Sequence, residues 1–598
     1  MTGVALLACL ICSFLKLALA TGTASETTVR VSATPVFPAI PWGQHRDDFE
    51  VVVRVEAPAA LQMHAPIDLV VVLDISDSMS APAASLGGLS RLDFVKKAMK
   101  FVIGKLDNRD RLAIVAFNDD VVKEYSTELL HISGDGGYHA RRKVDELIAG
   151  GRTAFEPALE RAVQILDERP IEEGRLGFIL LLSDGIEDSG IKWCKESTRR
   201  TILLGKYPVH TFGISTSHDP KALQFIAQAS RGTYSFINDN LVDSITSALA
   251  VCLGGLKTIV AAHTRVKLSA AEQGGVEIKS IESGGYRKHV SSDRSWGEIV
   301  LDVLYAGEVK NFIVRLHVPT VSSTCVIDHH RQVLLTVAAQ GSSYSYYATG
   351  VQAGDAVALH IQRPKVVGDA GRQDPSPTVV SRIVQFELVE LMVKLVHEKL
   401  DVTTADLGSQ IERKWVKFSE RHKFWSGVDL GVLDRDISAM VSSLRSGAGV
   451  GYIYSWVSSY LMQRATTMGS ADMVVPEFVT SSMRLMLKEA REFQEPVDRH
   501  PSVEAQDYTF SSANMEMIDR RLELWHKLKR EVPTLFQQPS EDAEGNHLTA
   551  ITQEASIEAI NRAMHHEMYL AIVHTSNTRR CYSKRGGLEL KQLRSHRC

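Results

Sequence analysis

The side chains with the clearest chemical potential lie in three short segments that are rich in oxygen atoms. The first, residues 74–78, reads DISDS, a carboxylate followed by hydroxyl groups at alternate positions. The second segment contains Thr153, and the third contains Asp184. Hard divalent cations such as Mg²⁺ prefer oxygen ligands and leave room for water or for an oxygen atom of a partner. These residue types therefore indicate a site that binds a metal ion.

Continuous apolar runs recur along this part of the chain and alternate with helical segments. Such runs are typical of strands that are buried on both faces. The predicted strands are DLVVVLD (68–74), RLAIVAF (111–117), LGFILLL (176–182) and PVHTFGI (208–214), and the predicted helices cover about 91–106 and 153–166. This alternation predicts a doubly wound, Rossmann-like α/β sheet, in which ligands bind at the carboxyl edge of the strands. We therefore expect the three segments to meet at that edge, over a domain of residues 62–255.

Alternating β-type patterns flank the predicted α/β domain on both sides. Residues 29–60 contain the run FEVVVRV, and residues 256–365 contain stretches such as NFIVRLHV between Gly, Ser and Asp turns. Strict alternation of apolar and polar residues is typical of antiparallel strands with one solvated face. The simplest interpretation is one β-sandwich that is built from both stretches, with the α/β domain inserted between its strands.

The C-terminal part of the chain has the 3.6-residue periodicity of amphipathic helices. A polar linker leads to a region of helices over residues 376–495, and a helical extension with a basic tail is predicted over residues 505–598. The predicted helices cover 379–396, 403–422, 432–446, 452–463, 475–492, 511–531 and 552–572. The C-terminal region is therefore predicted to be mostly α-helical.

Together the motifs and the strands resemble the von Willebrand factor A (vWA) family. The resemblance lies in HAPIDLVVVLDISDSMS, LGFILLLSDG and YPVHTFGISTSHDPKALQFIAQASRGTYSFI, and GYIYSWVSSYLMQRATTMGS (451–470) resembles the Vwaint segment of plant vWA proteins. It covers about residues 29–495. Five residues match the metal-ion-dependent adhesion site of the family, namely Asp74, Ser76, Ser78, Thr153 and Asp184.

The resemblance implies a role for each residue of this motif. Ser76, Ser78 and Thr153 are expected to bind Mg²⁺ or Mn²⁺ directly, and the two aspartates are expected to act partly through water. An acidic side chain of a protein partner then takes the remaining position on the ion. Because most direct ligands are neutral hydroxyls, the ion keeps enough positive charge to attract that carboxylate.

Two residues beside the oxygen donors are expected to border the partner, Asp77 and Gly185. The family usually has glycine where this chain has Asp77, and glycine eases a tight loop. Aspartate tolerates turn geometry but adds a negative charge beside the ion. We therefore expect the ion to bind and an acidic partner to meet some extra repulsion.

The composition excludes several classes of function. The chain has 598 residues and a net charge of −4, without the excess of Lys and Arg that a nucleic-acid-binding protein shows. A subset of plant vWA proteins carries a RING finger and acts as ubiquitin ligases. The 7 cysteines of this chain are too widely spaced for a RING or another zinc module, so the resemblance is to the type without a RING finger, and ligase activity is not carried over.

Residues 1–20 form a candidate signal peptide, because a short apolar run ends in Ala-Leu-Ala. The run is too short to span a membrane comfortably, and we expect no transmembrane segment. Lys16 interrupts the run, and no basic residue precedes it. Secretion and a cytoplasmic location therefore both stay open.

Three functions remain after these exclusions. The first is a non-enzymatic protein-interaction module that binds acidic partner residues through a divalent ion. The second is an adaptor or non-catalytic subunit of a ubiquitin-ligase-type complex. The third is a structural scaffold whose metal site is vestigial.

Overall fold

The computed structural model describes most residues between 28 and 493. The described ranges are 28–59, 65–82, 89–170, 174–186, 200, 203–238, 244–272, 274–321, 331–340, 352–365, 373–398, 404–425, 428–447, 449–470 and 472–493. They all belong to the first of two units into which the chain divides after Pro496. The candidate signal peptide (1–20) and the predicted C-terminal extension (505–598) lie outside the described residues.

The described elements follow the order that the sequence patterns predict, a few strands, an α/β unit, more strands and then helices. The strands are β1 (Thr28–Pro35), β2 (Arg46–Glu56), β3 (Ile67–Asp74), β4 (Arg111–Phe117), β5 (Leu130–His131), β6 (Leu176–Ser183), β7 (Val209–Ile214), β8 (Tyr234–Ile237), β9 (Ile259–Ala270), β10 (Glu277–Glu282), β11 (Arg287–Val290), β12 (Trp296–Tyr305), β13 (Val309–Val318), β14 (Arg331–Gln340), β15 (Gln352–Ala353), β16 (Val357–Gln362) and β17 (Met468–Gly469). The α-helices are α1 (Arg91–Lys105), α2 (Gly136–Glu146), α3 (Phe155–Glu168), α4 (Pro220–Ser230), α5 (Ser244–Leu256), α6 (Pro377–Glu398), α7 (Thr404–His422), α8 (Gly431–Arg445), α9 (Gly451–Met462) and α10 (Ser481–Arg491).

The sheet of the α/β unit has the strand order β17-β8-β7-β6-β3-β4-β5. Every residue of β3, β4 and β7 is buried, as the continuous apolar runs predict for strands covered on both faces. The strands are parallel except β5, which pairs antiparallel with β4 at one edge. The carboxyl ends of β3 and β6 are therefore neighbours.

Local sequence sets where the helices of this unit begin. Ser90 and Asp93 form a capping box at the start of α1, because the Ser90 hydroxyl accepts a hydrogen bond from the Asp93 amide while the Asp93 carboxylate accepts one from the Ser90 amide. Helix α3 begins at Phe155, two residues later than predicted, because Ala154 still has extended backbone angles. Thr153 consequently lies in the loop before the helix.

Two five-stranded sheets form the β-sandwich, with the orders β10-β13-β2-β1-β15 and β11-β12-β9-β14-β16. The first sheet combines β1 and β2, which precede the α/β unit, with strands that follow it. Apolar side chains such as Phe49, Val266 and Phe312 fill the space within the sandwich. The α/β unit is therefore inserted between strands of the sandwich.

The C-terminal helices share one apolar core with the α/β unit, in which Trp456 and Tyr234 are both buried. The predicted helix 475–492, the last one within the described residues, is shorter in the structure, because a 3-10 turn at Pro476–Phe478 precedes the Thr480 cap of α10. Strand β17 follows α9 and joins the α/β sheet beside β8.

The predicted fold class is confirmed: a doubly wound, Rossmann-like α/β unit inserted in a β-sandwich and followed by helices. Over the described residues, none of the helices combines the length and the apolar character that a membrane crossing would need.

Candidate functional site

The site begins where two neighbouring strands end. Leu73 of β3 pairs with Leu182 of β6, so the next residues of each strand lie side by side at the carboxyl edge of the sheet. Asp74 is the last residue of β3, and Asp184 directly follows β6. The side chains of both aspartates are fully buried. The sheet register thus brings together two carboxylates that are 110 residues apart in the chain, from 74 to 184.

The loop after β3 turns two hydroxyl groups toward the second carboxylate. The Ser76 amide donates a hydrogen bond to Asp74 Oδ1 over 2.8 Å, which turns the chain back at the end of the strand. The hydroxyl oxygens of Ser76 and Ser78 are 3.0 Å apart. Ser78 Oγ donates to Asp184 Oδ1 over 2.6 Å. Oxygen atoms from both loops therefore form one compact cluster.

A third loop, which leads into α3, is fastened to the first by backbone hydrogen bonds. The Gly150 amide donates to the Ile75 carbonyl over 2.7 Å, and the Asp77 amide donates to the Gly151 carbonyl over 2.9 Å. Gly151 has φ +89°, which only glycine adopts readily, so the turn that carries the chain toward Thr153 depends on it. Thr153 itself is buried.

The position of Gly185 shows that the third loop reaches the cluster. A Cβ atom at Gly185 would clash with the hydroxyl oxygen of Thr153 and would lie 3.2 Å from Asp74 Oδ2. The Thr153 hydroxyl and the Asp74 carboxylate therefore both face the α-carbon of Gly185. All five oxygen-bearing residues of the predicted motif converge at one edge of the sheet.

Burial raises the pKa of one carboxyl group in the cluster, that of Asp74. Removal from water raises the pKa of Asp74 to about 7, and the nearby charge of Asp184 also raises it. Hydrogen bonds from Ser183 and Ser76 oppose this rise, and the Ser183 hydroxyl donates to Asp74 Oδ2 over 2.5 Å. A positive charge near the cluster would favour the ionised form of the carboxyl group.

One such charge comes from a residue that the sequence did not single out, Arg91, at the first position of α1. Its Nη1 lies 2.6 Å from Asp184 Oδ2, and its Nη2 donates to the Ser215 hydroxyl over 2.8 Å. The Arg91 side chain is 14% exposed. Arg91 and Asp184 are 93 residues apart in the chain. The only indication of this ion pair in the sequence is a basic residue at the start of the helix that follows the DISDS loop.

Asp77 occupies the loop without strain. The described non-glycine residues with positive φ do not include it, so the conformation there does not require glycine. Its side chain is exposed, and Asp77 begins a 3-10 turn that ends at Ser80. Aspartate at this position is therefore expected to affect the site through its negative charge and not through its backbone conformation.

The donor set fits a hard divalent cation. Two carboxylates and three hydroxyls are all oxygen donors, and the carboxylates are buried where a cation would offset their charge. In the described part of the chain, no group of three or more His, Cys, Asp or Glu side chains is placed to hold a metal ion. A metal site among these residues would therefore depend on neutral hydroxyls as well as on carboxylates.

Several known proteins are similar to this chain. A family model described as von Willebrand factor type A domain matches residues 67–236. The E3 ubiquitin-protein ligase WAV3 of Arabidopsis thaliana is 28% identical over 315 residues, which cover 49% of this chain and 38% of that protein. The probable E3 ubiquitin-protein ligase WAVH2 of the same plant is 28% identical over 308 residues, which cover 49% of this chain and 40% of that protein. The chain thus spans about two fifths of the length of these curated relatives.

A solved structure described as von Willebrand factor type A from Catenulispora acidiphila is 18% identical, with a TM-score of 0.48, and the match covers 65% of this chain and 84% of that one. The family match begins at the first residue of β3 and ends within β8, so it covers the α/β unit. The unit that contains residues 67–236 is therefore a von Willebrand factor type A domain.

Proposed function

We propose that the vWA domain of this chain is a non-enzymatic module that binds acidic residues of a protein partner through a divalent metal ion, Mg²⁺ or Mn²⁺. The observation that supports it most strongly is the convergence of Asp74, Ser78 and Asp184 with the Ser76 and Thr153 hydroxyls at one edge of the sheet. No acid–base pair or activated nucleophile is needed for this function, because the site only has to hold an ion and leave one position open.

Each residue has a distinct part in this proposal. The hydroxyls of Ser76, Ser78 and Thr153 would hold the ion directly, and the two buried carboxylates would orient these hydroxyls and bound water. The ion supplies a concentrated positive charge for a partner carboxylate. Ser78 is already oriented by its hydrogen bond to Asp184, so little rearrangement is required of it. Asp77 is exposed in the loop and would border the partner. Gly185, for which the same contact is expected from the sequence, is instead buried against Thr153 and Asp74.

The ion-binding part of the proposal is tested on the full chain. Mn²⁺ is titrated into wild-type protein and into Asp74→Asn, with loss of the free-ion electron paramagnetic resonance signal as the readout. We expect binding to one site in the wild type and at least a tenfold loss of affinity in the variant. Thermal unfolding in EDTA should show that both proteins are folded. Absence of Mn²⁺ binding by folded wild-type protein would leave a scaffold with a vestigial site.

The partner-binding part needs a second experiment. Wild-type and Asp74→Asn proteins are used in pull-downs with Mg²⁺ or with EDTA. We expect some partners to be recovered only with wild-type protein in Mg²⁺. Acidic peptides from those partners should compete with them for binding to the wild-type protein. Partners that are the same in all four samples would contradict an ion-mediated interaction.

A second candidate function is that of an adaptor or non-catalytic subunit in a ubiquitin-ligase-type complex. It is supported by the two relatives that are named as ubiquitin ligases and that match about half of this chain. Recovery of ubiquitin-conjugating enzymes, and ubiquitin transfer that occurs only with an added ligase subunit, would favour it. Transfer by this chain without such a subunit would show instead that the chain is itself an enzyme.

A further inference from the structure

Arg91 uses both ends of its guanidinium group at the edge of the candidate metal site. One nitrogen contacts Asp184 Oδ2 over 2.6 Å, and the other donates to the Ser215 hydroxyl over 2.8 Å. A longer contact joins Nη1 to the Ser78 carbonyl over 3.5 Å, so three different loops hold the group in one place. With 14% of its side chain exposed, Arg91 is shielded from most of the solvent. A charge that is fixed and shielded in this way acts on its neighbours more strongly than a mobile surface charge does.

The two oxygen atoms of Asp184 are divided between the cluster and this arginine. Oδ1 accepts the hydrogen bond from Ser78 Oγ over 2.6 Å, and Oδ2 contacts Arg91. The same buried carboxylate thus touches a hydroxyl that would hold the ion and a cation that belongs to the protein. A divalent ion bound to the hydroxyls would be separated from the Arg91 guanidinium by the Asp184 carboxylate.

From this geometry we propose that Arg91 is a resident cation that competes with the divalent ion for Asp184. The inference rests on the proposed metal-binding function. While no ion is bound, the guanidinium neutralises Asp184 and keeps its Oδ1 pointed at Ser78. When an ion binds, the two cations repel each other across the shared carboxylate, which weakens the binding of the ion.

The competition has a consequence for the partner. A carboxylate from the partner adds a negative charge at the ion and offsets the repulsion from Arg91. By thermodynamic linkage, the bound ion raises the affinity for the partner by the same factor by which the bound partner raises the affinity for the ion. The site would hold its ion weakly alone and firmly in the complex, so that Arg91 makes ion binding depend on an acidic partner.

The experiment compares Mn²⁺ affinity in full-length wild-type protein and in Arg91→Gln, which removes the charge. We expect Arg91→Gln to bind Mn²⁺ at least about tenfold more tightly than the wild type. Arg91→Lys, which keeps the charge, should stay within about threefold of the wild type. A residue that only orders Asp184 would give the opposite result, weaker binding in Arg91→Gln, and that result or an unchanged affinity would overturn the proposal.

Two further variants keep the test interpretable. Ser215→Ala removes one anchor of the guanidinium while all five oxygen-bearing residues stay in place, and it should tighten Mn²⁺ binding about twofold to fivefold. An unchanged affinity in folded Ser215→Ala would also count against the competition. Arg445→Gln breaks a comparable but exposed pair with Glu412, with its nitrogen and oxygen 2.7 Å apart, and should leave the affinity unchanged.

Failure of the proposed function gives a different pattern of results. If neither wild-type protein nor folded Arg91→Gln binds Mn²⁺, the metal site itself is absent. Binding by Arg91→Gln alone would mean that the site exists and that Arg91 blocks it in the wild type. Thermal unfolding in EDTA reports separately on the folding of each variant.

Discussion

Gly185 is the position at which the candidate site is most sensitive to an added atom. A Cβ there would meet the hydroxyl oxygen of Thr153 and would approach Asp74 Oδ2 to 3.2 Å. Both atoms belong to the oxygen cluster, and both are buried, so neither can simply turn into solvent. Because Gly185 has no side chain, it provides the space in which the Thr153 and Asp74 oxygen atoms come together.

We expect Gly185→Ala to abolish the thermal stabilisation by Mn²⁺ and to lower the free energy of unfolding in EDTA by about 1–3 kcal/mol, as overpacking of a dense site does. Differential scanning fluorimetry with and without Mn²⁺ measures both effects. Gly104→Ala is the matched control, because a Cβ at this exposed position of α1 meets nothing within 4 Å. A normal Mn²⁺ shift in Gly185→Ala would show that the cluster does not need this space.

Much of this residue-scale arrangement could be predicted. The DISDS loop, Thr153 and Asp184 follow patterns that point to the carboxyl edge of one sheet, and the structure brings them together there. The contact between Arg91 and Asp184 could not be predicted, because it depends on how α1 packs over the edge. A charged residue at the start of a helix has many other roles, so its type alone did not indicate a link to the site.

At the scale of elements, the turn after α9 joins the helical region to the β-sandwich through buried charges. Lys310 Nζ donates to Glu308 Oε1 over 3.0 Å and to the Gln463 carbonyl over 2.8 Å. Arg464 Nε donates to the same Glu308 oxygen over 2.8 Å, and its guanidinium lies 4.1 Å from the centre of the Tyr305 ring. One buried carboxylate thus serves two cations from different regions of the chain.

Glu308→Gln should therefore be strongly destabilising, because it leaves Lys310 and Arg464 buried without a counter-charge. Loss of one partner from a buried ion pair costs about 3–5 kcal/mol. Urea unfolding measures the change in the free energy of unfolding. Glu412→Gln is the control, because its pair with Arg445 is more than half exposed on both sides and should contribute less than about 1 kcal/mol. Similar values for the two variants would contradict a structural role for the buried network.

The sequence predicted the elements better than their connections. Apolar patterns predicted β3, α7 and α8 within a residue or two, because β3 is buried on both faces and each of the two helices buries one face. Strand β17 has only two residues, Met468 and Gly469, and is too short to produce a pattern. The contact that Glu308 makes with Arg464 could not be predicted from the sequence either, because it joins segments about 150 residues apart.

At the scale of the whole molecule, two buried histidines couple folding to pH. His218 lies between the Ser215 carbonyl and the Tyr234 hydroxyl, each 2.6 Å from a ring nitrogen. Burial lowers the pKa of His218 to about 4 and that of His210 to about 3. Both rings are therefore neutral in the folded protein at pH 5, whereas the unfolded chain binds protons at its histidines below about pH 6.5.

At these two histidines the unfolded state thus binds more protons than the folded state between about pH 6.5 and 4, so their contribution to stability falls as the pH falls through this window. Each histidine should contribute a slope of up to about 1.4 kcal/mol per pH unit. Urea unfolding at several pH values should give a shallower slope for His218→Gln than for the wild type, whatever its stability at neutral pH. His360→Gln is the control, because that side chain is exposed and hydrated in both states. Equal slopes for all three proteins would mean that His218 does not link the stability of this fold to pH.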